Sequence, residues 1–287
     1  MTLSIIIVNW NVKDLLRKCL STLFKYNQDI DFEVFVVDNA SSDASVDMIK
    51  NEFPQVKLIA NDENLGFAGA NNQAIEKCVG DFILLLNPDT EFLDNHCLST
   101  VVELMKKRPR VGIGGPRLLD TDMSIQASVR AFPDIISQIG ILLKIHHVWP
   151  NCPWFKRYFQ TNFNYHEEVA VDQVMGAFFL IKREVLKKIG PLDSGYFCWF
   201  EEVDYCWQAK QAGWETRYFP QSELIHHGGA SFKQVLKPRN QKIFNQSMFR
   251  YFYKNHSKPR AYILAIFFLP ALILSRVNQA LAAKKSK

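Results

Sequence analysis

Residues 3–43 read LSIIIVNWNVKDLLRKCLSTLFKYNQDIDFEVFVVDNASSD. Leu3 to Val8 is a short, Ile-rich apolar run, too short for a helix and lacking polar alternation, so it reads as a strand buried on both faces. Leu15, Leu16, Cys19, Leu20, Leu23 and Phe24 then fall on one face of a helix. Phe32 to Val37 is a second strand ending at Asp38-Asn39, and Ser41, Ser42 and Asp43 supply N-cap chemistry for a helix reaching Phe53. The rhythm continues outward. Val56 to Ala60 predicts a strand, Gly66 to Val79 a helix behind a glycine-containing loop, and Asp81 to Leu86 a strand ending at Asn87-Pro88-Asp89-Thr90. Such alternation predicts an α/β fold with a mostly parallel, Rossmann-like sheet covered by helices on both faces.

In an open parallel sheet, ligands bind beyond the carboxyl ends of the strands. Polar residues gather at those ends here: Asn9-Trp10-Asn11, Asp38-Asn39, Asn61-Asp62-Glu63-Asn64 and Asn87-Pro88-Asp89. Any one cluster is ordinary turn chemistry, but four on one edge of one sheet mark a site. The net charge of +5 is mild and the basic residues are dispersed, which excludes nucleic acid as a partner. With 48% apolar and 22% charged residues, the chain has material for a sizeable core. The six cysteines form no CxxC pair and several sit in apolar patterns, which suits a reduced, cytoplasmic setting. Met1-Thr2-Leu3-Ser4-Ile5 enters the first strand without a basic region or cleavage site, so no secretory signal is expected.

After residue 110 the rhythm loosens. Residues 133–165 read as an inserted, partly helical segment rich in Trp, Phe and His. Ala177 to Ile181 is a strand, a helix from Arg183 ends at Gly190-Pro191, and another helix spans Val203 to Ala212. Two short strands are expected at Glu215–Phe219 and Glu223–His226. The tail from Ala261 to Leu274 is apolar, broken by Pro270 and flanked by basic residues, Lys284, Lys285 and Lys287 among them. Its fourteen residues fall short of the roughly 20 that span a bilayer as a helix. An interfacial or re-entrant anchor is expected, its lysines favouring anionic cytoplasmic lipids; a core helix or an oligomer contact is the alternative.

Several motifs resemble family 2 glycosyltransferases. They are Val8-Asn9-Trp10-Asn11, Val36-Val37-Asp38-Asn39-Ala40-Ser41-Ser42-Asp43, Asn64-Leu65-Gly66-Phe67-Ala68-Gly69-Ala70-Asn71, Leu86-Asn87-Pro88-Asp89 and Phe200-Glu201-Glu202-Val203-Asp204. Pro116-Arg117-Leu118, Gln126-Ala127-Ser128, Arg130-Ala131-Phe132-Pro133 and His226-His227-Gly228-Gly229-Ala230-Ser231 are similar to the rhamnosyltransferase branch of bacterial surface-polysaccharide synthesis. The resemblance covers residues 3 to 255 with the motifs in family order.

The resemblance implies a GT-A fold and a role for each cluster. Asp38 would accept from the imide N–H of a uracil or thymine base, with Asn9, Trp10 and Asn11 lining the base pocket. Gly66 and Gly69 would let backbone and helix N-terminus approach the nucleotide, with Asn64 and Asn71 nearby. Asn87-Pro88-Asp89 takes the place of the family's DxD metal motif, with Asn87 beside the nucleotide and Asp89 the direct ligand to Mn²⁺ or Mg²⁺. Asn87 replaces one carboxylate of that pair. His226 would complete the metal site. Glu202 takes the place of the general base in the Glu-Asp motif, and Asp204 is the fallback. The aromatic surround (Tyr196, Phe197, Trp199, Phe200) would raise the carboxylate's pKa toward that of a useful base. Arg117 and Arg130 would steady diphosphate or an anionic lipid-linked acceptor.

The expected organisation is a nucleotide-sugar-binding half over 1–115, an acceptor-binding and catalytic half over 116–255, and a basic, apolar membrane-proximal tail over 256–287. The expected reaction is inverting transfer, with dTDP-L-rhamnose the first donor candidate and UDP-sugars second. The acceptor would be a glycan, including one carried on polyprenyl diphosphate, met at the inner face of the plasma membrane. A sugar-1-phosphate nucleotidyltransferase would want a Gly-rich basic loop where Asn9-Trp10-Asn11 stands. A non-enzymatic, membrane-associated scaffold on the same fold is the remaining rival.

Overall fold

The computed structural model describes residues 1–229, 234 and 237–285. The opening rhythm folds as β1 (Leu3–Asn9), α1 (Lys13–Tyr26), β2 (Phe32–Asn39), α2 (Ser45–Glu52), β3 (Lys57–Asn61), α3 (Gly66–Ile75) and β4 (Phe82–Leu86). The apolar stripe of α1 buries Leu16, Cys19, Leu20 and Leu23. β1 pairs in parallel with β2 and with β4, placing Ile5 opposite Val34 on one side and Leu84 on the other. Continuous apolar runs are what such doubly covered strands need.

The chain continues through β5 (Thr90–Phe92), α4 (Cys97–Lys106), β6 (Val111–Leu119) and β7 (Val129–Arg130). The insertion holds α5 (Ile135–Leu142), α6 (Ile145–Val148) and α7 (Pro153–Phe159). Then follow β8 (Val169–Val171), β9 (Gln173–Val174), β10 (Phe178–Lys182), α8 (Arg183–Ile189), α9 (Glu201–Gln211) and β11 (Glu215–His226). Helices α10 (Lys237–Asn255), α11 (Lys258–Ile266) and α12 (Phe268–Lys285) close the described chain.

The main sheet runs β3-β2-β1-β4-β10-β6-β11-β5, with β8 on the flank of β11 and β7 paired separately with β9. β10 lies antiparallel to both β4 and β6, joining the parallel β1–β4 block to the parallel pair β6–β11. The two strands expected at 215–226 are one, β11, whose register against β6 shifts between Phe219 and Glu223. Pro220 sits in that shift, where a residue without an N–H cannot join the ladder.

Apolar clusters cover both faces of the sheet. A third joins Tyr196, Phe200 and Val203 to Met248, Tyr251 and Phe252 of α10, and Ala261 and Leu264 of α11. The cysteines are free, and burial pushes the Cys19, Cys97 and Cys206 thiols up to about 12. The helical tail outruns the expected fourteen residues: Lys258–Ala280, 23 residues, is long and apolar enough to cross a membrane by length and composition. Ala261, Leu264 and Ala271 of this stretch are nevertheless buried within the cluster built on α10.

Candidate active site

A cavity of about 490 Å³ opens beyond the carboxyl ends of the β1–β4 strands. Trp10, Asn64, Gly66, Asn87 and Asp89 line it from that side. Arg130 of β7, Glu202 of α9, His226 at the end of β11 and Arg239 of α10 close it from the other. Residues far apart in sequence therefore meet because β10 brings the second half of the sheet alongside β4.

Asp89 and His226 touch, with Oδ1 and Nε2 3.3 Å apart, and both are almost fully buried. The tautomer of His226 follows from its neighbours. The Gln126 amide nitrogen donates to Asp120 Oδ1 (2.7 Å) and to the His226 carbonyl (3.2 Å), which leaves Oε1 facing the ring. His226 Nδ1–H therefore donates to that oxygen at 2.8 Å. In the neutral ring, Nε2 keeps its lone pair and points at Asp89 and at the Asn87 amide nitrogen, 3.3 Å away. Two cis ligands at about 2.1 Å from one octahedral ion stand roughly 3 Å apart, so this carboxylate–imidazole pair fits a shared divalent cation. Among the described residues no group of three or more His, Cys, Asp or Glu is arranged to hold a metal. Further oxygens would have to come from a diphosphate and water. The adjacent His227 turns away to Glu91, which pairs with Lys18.

Glu202 and Glu201 also line the cavity, and each has one carboxyl oxygen that is buried without a hydrogen-bond partner. Burial raises the Glu202 carboxyl above its ordinary range, while backbone N–H groups at the start of α9 and Arg130 oppose the shift. Glu201 is held well above that range, first by burial and then by repulsion from Glu202. Trp199 and Phe200, which lead into α9, both adopt left-handed backbone (φ 65° and 69°), a conformation unfavourable for bulky residues.

The other expected residues are not brought to the cavity wall. Asp38 is buried, with Oδ1 accepting from Ser41 N (2.8 Å) and Oδ2 from Asn9 Nδ2 (2.7 Å). Asn11 Oδ1 accepts from Ser42 N, and its own N–H donates to Ser41 Oγ. These groups brace the β1 and β2 ends against each other. Asn71 is buried and donates to the Phe67 carbonyl, and a Cβ on Gly69 would meet only Leu65 at an ordinary 3.4 Å. Gly66 does line the cavity, but its missing side chain admits protein: at φ +74° a Cβ would lie 2.3 Å from the Phe197 carbonyl oxygen. That carbonyl accepts from Phe67 N (2.8 Å) and Asn64 Oδ1 accepts from Gly66 N (2.9 Å), so two first-turn N–H groups of α3 are already satisfied. Arg117 lies away on β6, bonded to Glu223 and to the Tyr165 carbonyl.

Asp204 is a correction. Its carboxylate accepts from Lys254 (2.8 Å), Gln208 (2.7 Å) and Asn255, so it fastens α9 to α10 instead of facing the cavity. Two residues on one helix separated by a single position point to nearly opposite sides, and Glu202 has the cavity side. Ala230 and Ser231 of the His-His-Gly-Gly segment lie outside the described residues. Sequence reading gave no role to Gln126 or Arg239. The signal for Arg239 was its place in the pattern Arg239, Asn240, Ile243, Phe244, one helix face that lines the cavity; Gln126 gave none beyond belonging to a family motif.

A mixed sheet built on a parallel block, with its cavity at the strand ends, is a GT-A fold. A mannosyltransferase from Pyrobaculum calidifontis, solved with GDP-Man and Mn²⁺, superposes with a TM-score of 0.58 at 17% identity, covering 98% of this chain and 75% of that one. GalNAc-T7, solved with UDP, GalNAc and Mn²⁺, gives 0.57 at 18% identity over 79% of this chain and 44% of its own. The chain belongs to glycosyl transferase family 2, whose profile matches residues 4–190. It is similar to an N-acetylglucosaminyl-diphospho-decaprenol L-rhamnosyltransferase of Mycobacterium tuberculosis, 29% identical over 205 residues. That alignment takes in 68% of this chain and 66% of the relative, just under two thirds of the relative's length.

Proposed function

We propose that this chain is an inverting glycosyltransferase of cell-surface glycan synthesis, with Glu202 as general base and Asp89 and His226 as metal ligands. L-Rhamnose from dTDP-L-rhamnose is the first donor candidate and a UDP-sugar the second. The acceptor is a glycan or a polyprenyl-diphosphate-linked sugar, met at the cytoplasmic face of a membrane. The observation that carries the reading is that Glu202, Asp89 and His226, from three distant parts of the chain, line one cavity. The similarity to a rhamnosyltransferase acting on a decaprenol-linked sugar supports the choice of donor and acceptor.

In this reading the acceptor hydroxyl lies against Glu202. The carboxylate takes its proton as the oxygen bonds to the anomeric carbon and the bond to the diphosphate breaks on the opposite face. Burial raises the Glu202 carboxyl and so strengthens it as a base. Arg130 and Arg239 line the same cavity and would hold diphosphate oxygens. Trp10 supplies a flat wall for the base, and Asn64 and Asn87 polar contacts beside it. Asp38, Asn9, Asn11, Asn71 and Gly69 keep the strand ends and α3 in shape behind that wall. A Mn²⁺ or Mg²⁺ ion on Asp89 and His226 would neutralise charge on the departing nucleoside diphosphate.

Calorimetry with UDP, dTDP and GDP, each with Mn²⁺, Mg²⁺ or chelator, tests the reading. The expected result is metal-dependent binding of dTDP or UDP that is lost in Asp89→Ala. Absence of binding for every nucleotide and metal would remove the enzyme reading in favour of a scaffold.

A further inference from the structure

The insertion and the tail, far apart in sequence, fold into one unit. Ile135 and Ile139 of α5 pack into the cluster that holds Ala261 and Leu264 of α11 and Ala271 of α12. Lys144, just after α5, donates to Gln241 of α10 at 3.0 Å. On the outside of this unit large apolar side chains are left uncovered. From the insertion these are Ile136, Val148, Trp149 and Trp154, with Val148 87% exposed. From the tail they are Tyr262, Ile263, Ile266, Leu269 and Ile273, which recur at helical spacing, with Ile266 70% exposed. So many uncovered apolar groups are unusual for a surface that faces only water.

The charge around them is predominantly positive. Asp134 is the only acidic residue between Pro133 and His166, and no Asp or Glu follows Glu223. Insertion and tail meet at a second cavity, of about 600 Å³, lined by Ile136, Trp154, Arg157, Trp207, His256 and Arg260. Two acids also line it and both are engaged: Asp134 accepts from Ile136 N and Ser137 N, and Asp172 from Lys210 and Phe132 N. Arg157 and Arg260 are exposed and make no ion pair among the described residues.

We infer that α5–α7 and α11–α12 form a single docking surface for an anionic bilayer. The exposed apolar groups enter the headgroup region, and Arg157 and Arg260 meet lipid phosphates at the mouth of the second cavity. Aromatic and basic side chains are the residues that sit stably at that depth. The inference deepens the membrane location proposed above by adding a second element to the expected tail, and it holds whether or not the transfer chemistry is as proposed.

The test is flotation of the full chain, without donor, on phosphatidylcholine vesicles with and without phosphatidylglycerol. Binding is expected to need the anionic lipid and to weaken as salt rises. Arg157→Ala/Arg260→Ala should weaken it roughly thirtyfold, and Trp149→Ala/Trp154→Ala at least about tenfold, with the tail intact in both. An unchanged circular dichroism spectrum shows that each variant is folded. Anionic-vesicle binding unchanged in both double variants would overturn the inference, as would equal binding to neutral vesicles. Alkaline-carbonate extraction that leaves the chain in the bilayer would assign the tail to a spanning helix and overturn it too. If the tryptophan variants dissociate a dimer but still float, the occupant is a second copy and the inference fails.

Discussion

The ends of β1 and β2 and the start of α9 are both buried and polar, yet their carboxyl groups are hydrogen-bonded in opposite ways. At the strand ends, Asp38 accepts with both carboxylate oxygens, and Asn9, Asn11, Ser41 and Ser42 bond one another. At the start of α9, Glu201 and Glu202 each bury an oxygen with no partner, and two aromatic residues in left-handed backbone lead into them. A carboxylate paired on both oxygens stabilises a shape, although Asn9 Oδ1 beside it is buried without a partner, whereas an unpartnered buried carboxyl oxygen is a cost that suits a reactive group. The difference teaches that Asp38, Asn9 and Asn11 brace the strand ends, while the unpartnered carboxyls stand on the opposite wall, where the proposed chemistry would lie.

The largest expected effect tests the reactive wall. Glu202→Gln should lower single-turnover transfer by about 10²–10⁴-fold while nucleotide affinity in calorimetry stays at the wild-type value. A loss below about tenfold would move the base elsewhere and undo the contrast. Wild-type turnover should also rise with pH through a midpoint above the ordinary carboxylate range, because the base acts only when ionised and burial raises Glu202.

Asp38→Ala tests the braced side. It strips the acceptor from Ser41 N and one of the two acceptors of Asn9 Nδ2, which keeps Ser41 Oγ, and should destabilise the fold by roughly 2 kcal/mol. Urea unfolding without any nucleotide reads this directly. Unchanged stability with lost nucleotide binding would instead return Asp38 to the role of a base-contacting residue.

Much of this contrast was legible in the sequence, and the gaps have physical causes. The β1–β4 block could be read because parallel strands covered on both faces are plain apolar runs. β6, Val-Gly-Ile-Gly-Gly-Pro-Arg-Leu-Leu, has the composition of a loop. Its glycines are demanded by packing: a Cβ on Gly112 would lie 2.6 Å from Val185, and one on Gly114 2.7 Å from the Met105 sulfur. Periodicity cannot report such close approach. The helical spacing that sends Asp204 away from Glu202 was present in the sequence. The bonds from Lys254 and Asn255 that hold it there depend on tertiary contact with α10. Gln126 reaches the site through His226, a hundred residues away.

Gln126→Ala sharpens the comparison where the two walls meet. Without its oxygen, His226 loses the acceptor that fixes Nδ1–H and leaves Nε2 free toward Asp89. Manganese affinity, followed by electron paramagnetic resonance in the presence of nucleotide, should fall about 10- to 100-fold. Little change in urea unfolding without metal is expected. Unaltered manganese affinity would assign Gln126 to the packing of β11 alone.

The smallest effect concerns what holds the reactive wall in place. Asp193, in the segment before α9, receives hydrogen bonds from Arg250 and Lys254 of α10, and Lys254 also reaches Asp204. Burial alone would raise the Asp193 carboxyl, but these cations hold it at about 2. A depressed folded-state pKa gives stability that is present above the unfolded value, about 3.9, and lost as pH falls through the folded one. After allowance for the partial exposure of both cations, the contribution is on the order of 1–2 kcal/mol. Chemical denaturation between about pH 5 and pH 2 should show that loss in the wild type and a shallower slope in Asp193→Asn. Equal slopes would mean that the Lys254 and Asn255 bonds to Asp204 and the packing of Tyr196 and Phe200 on Tyr251 and Phe252 fix α9 to α10 without help from Asp193.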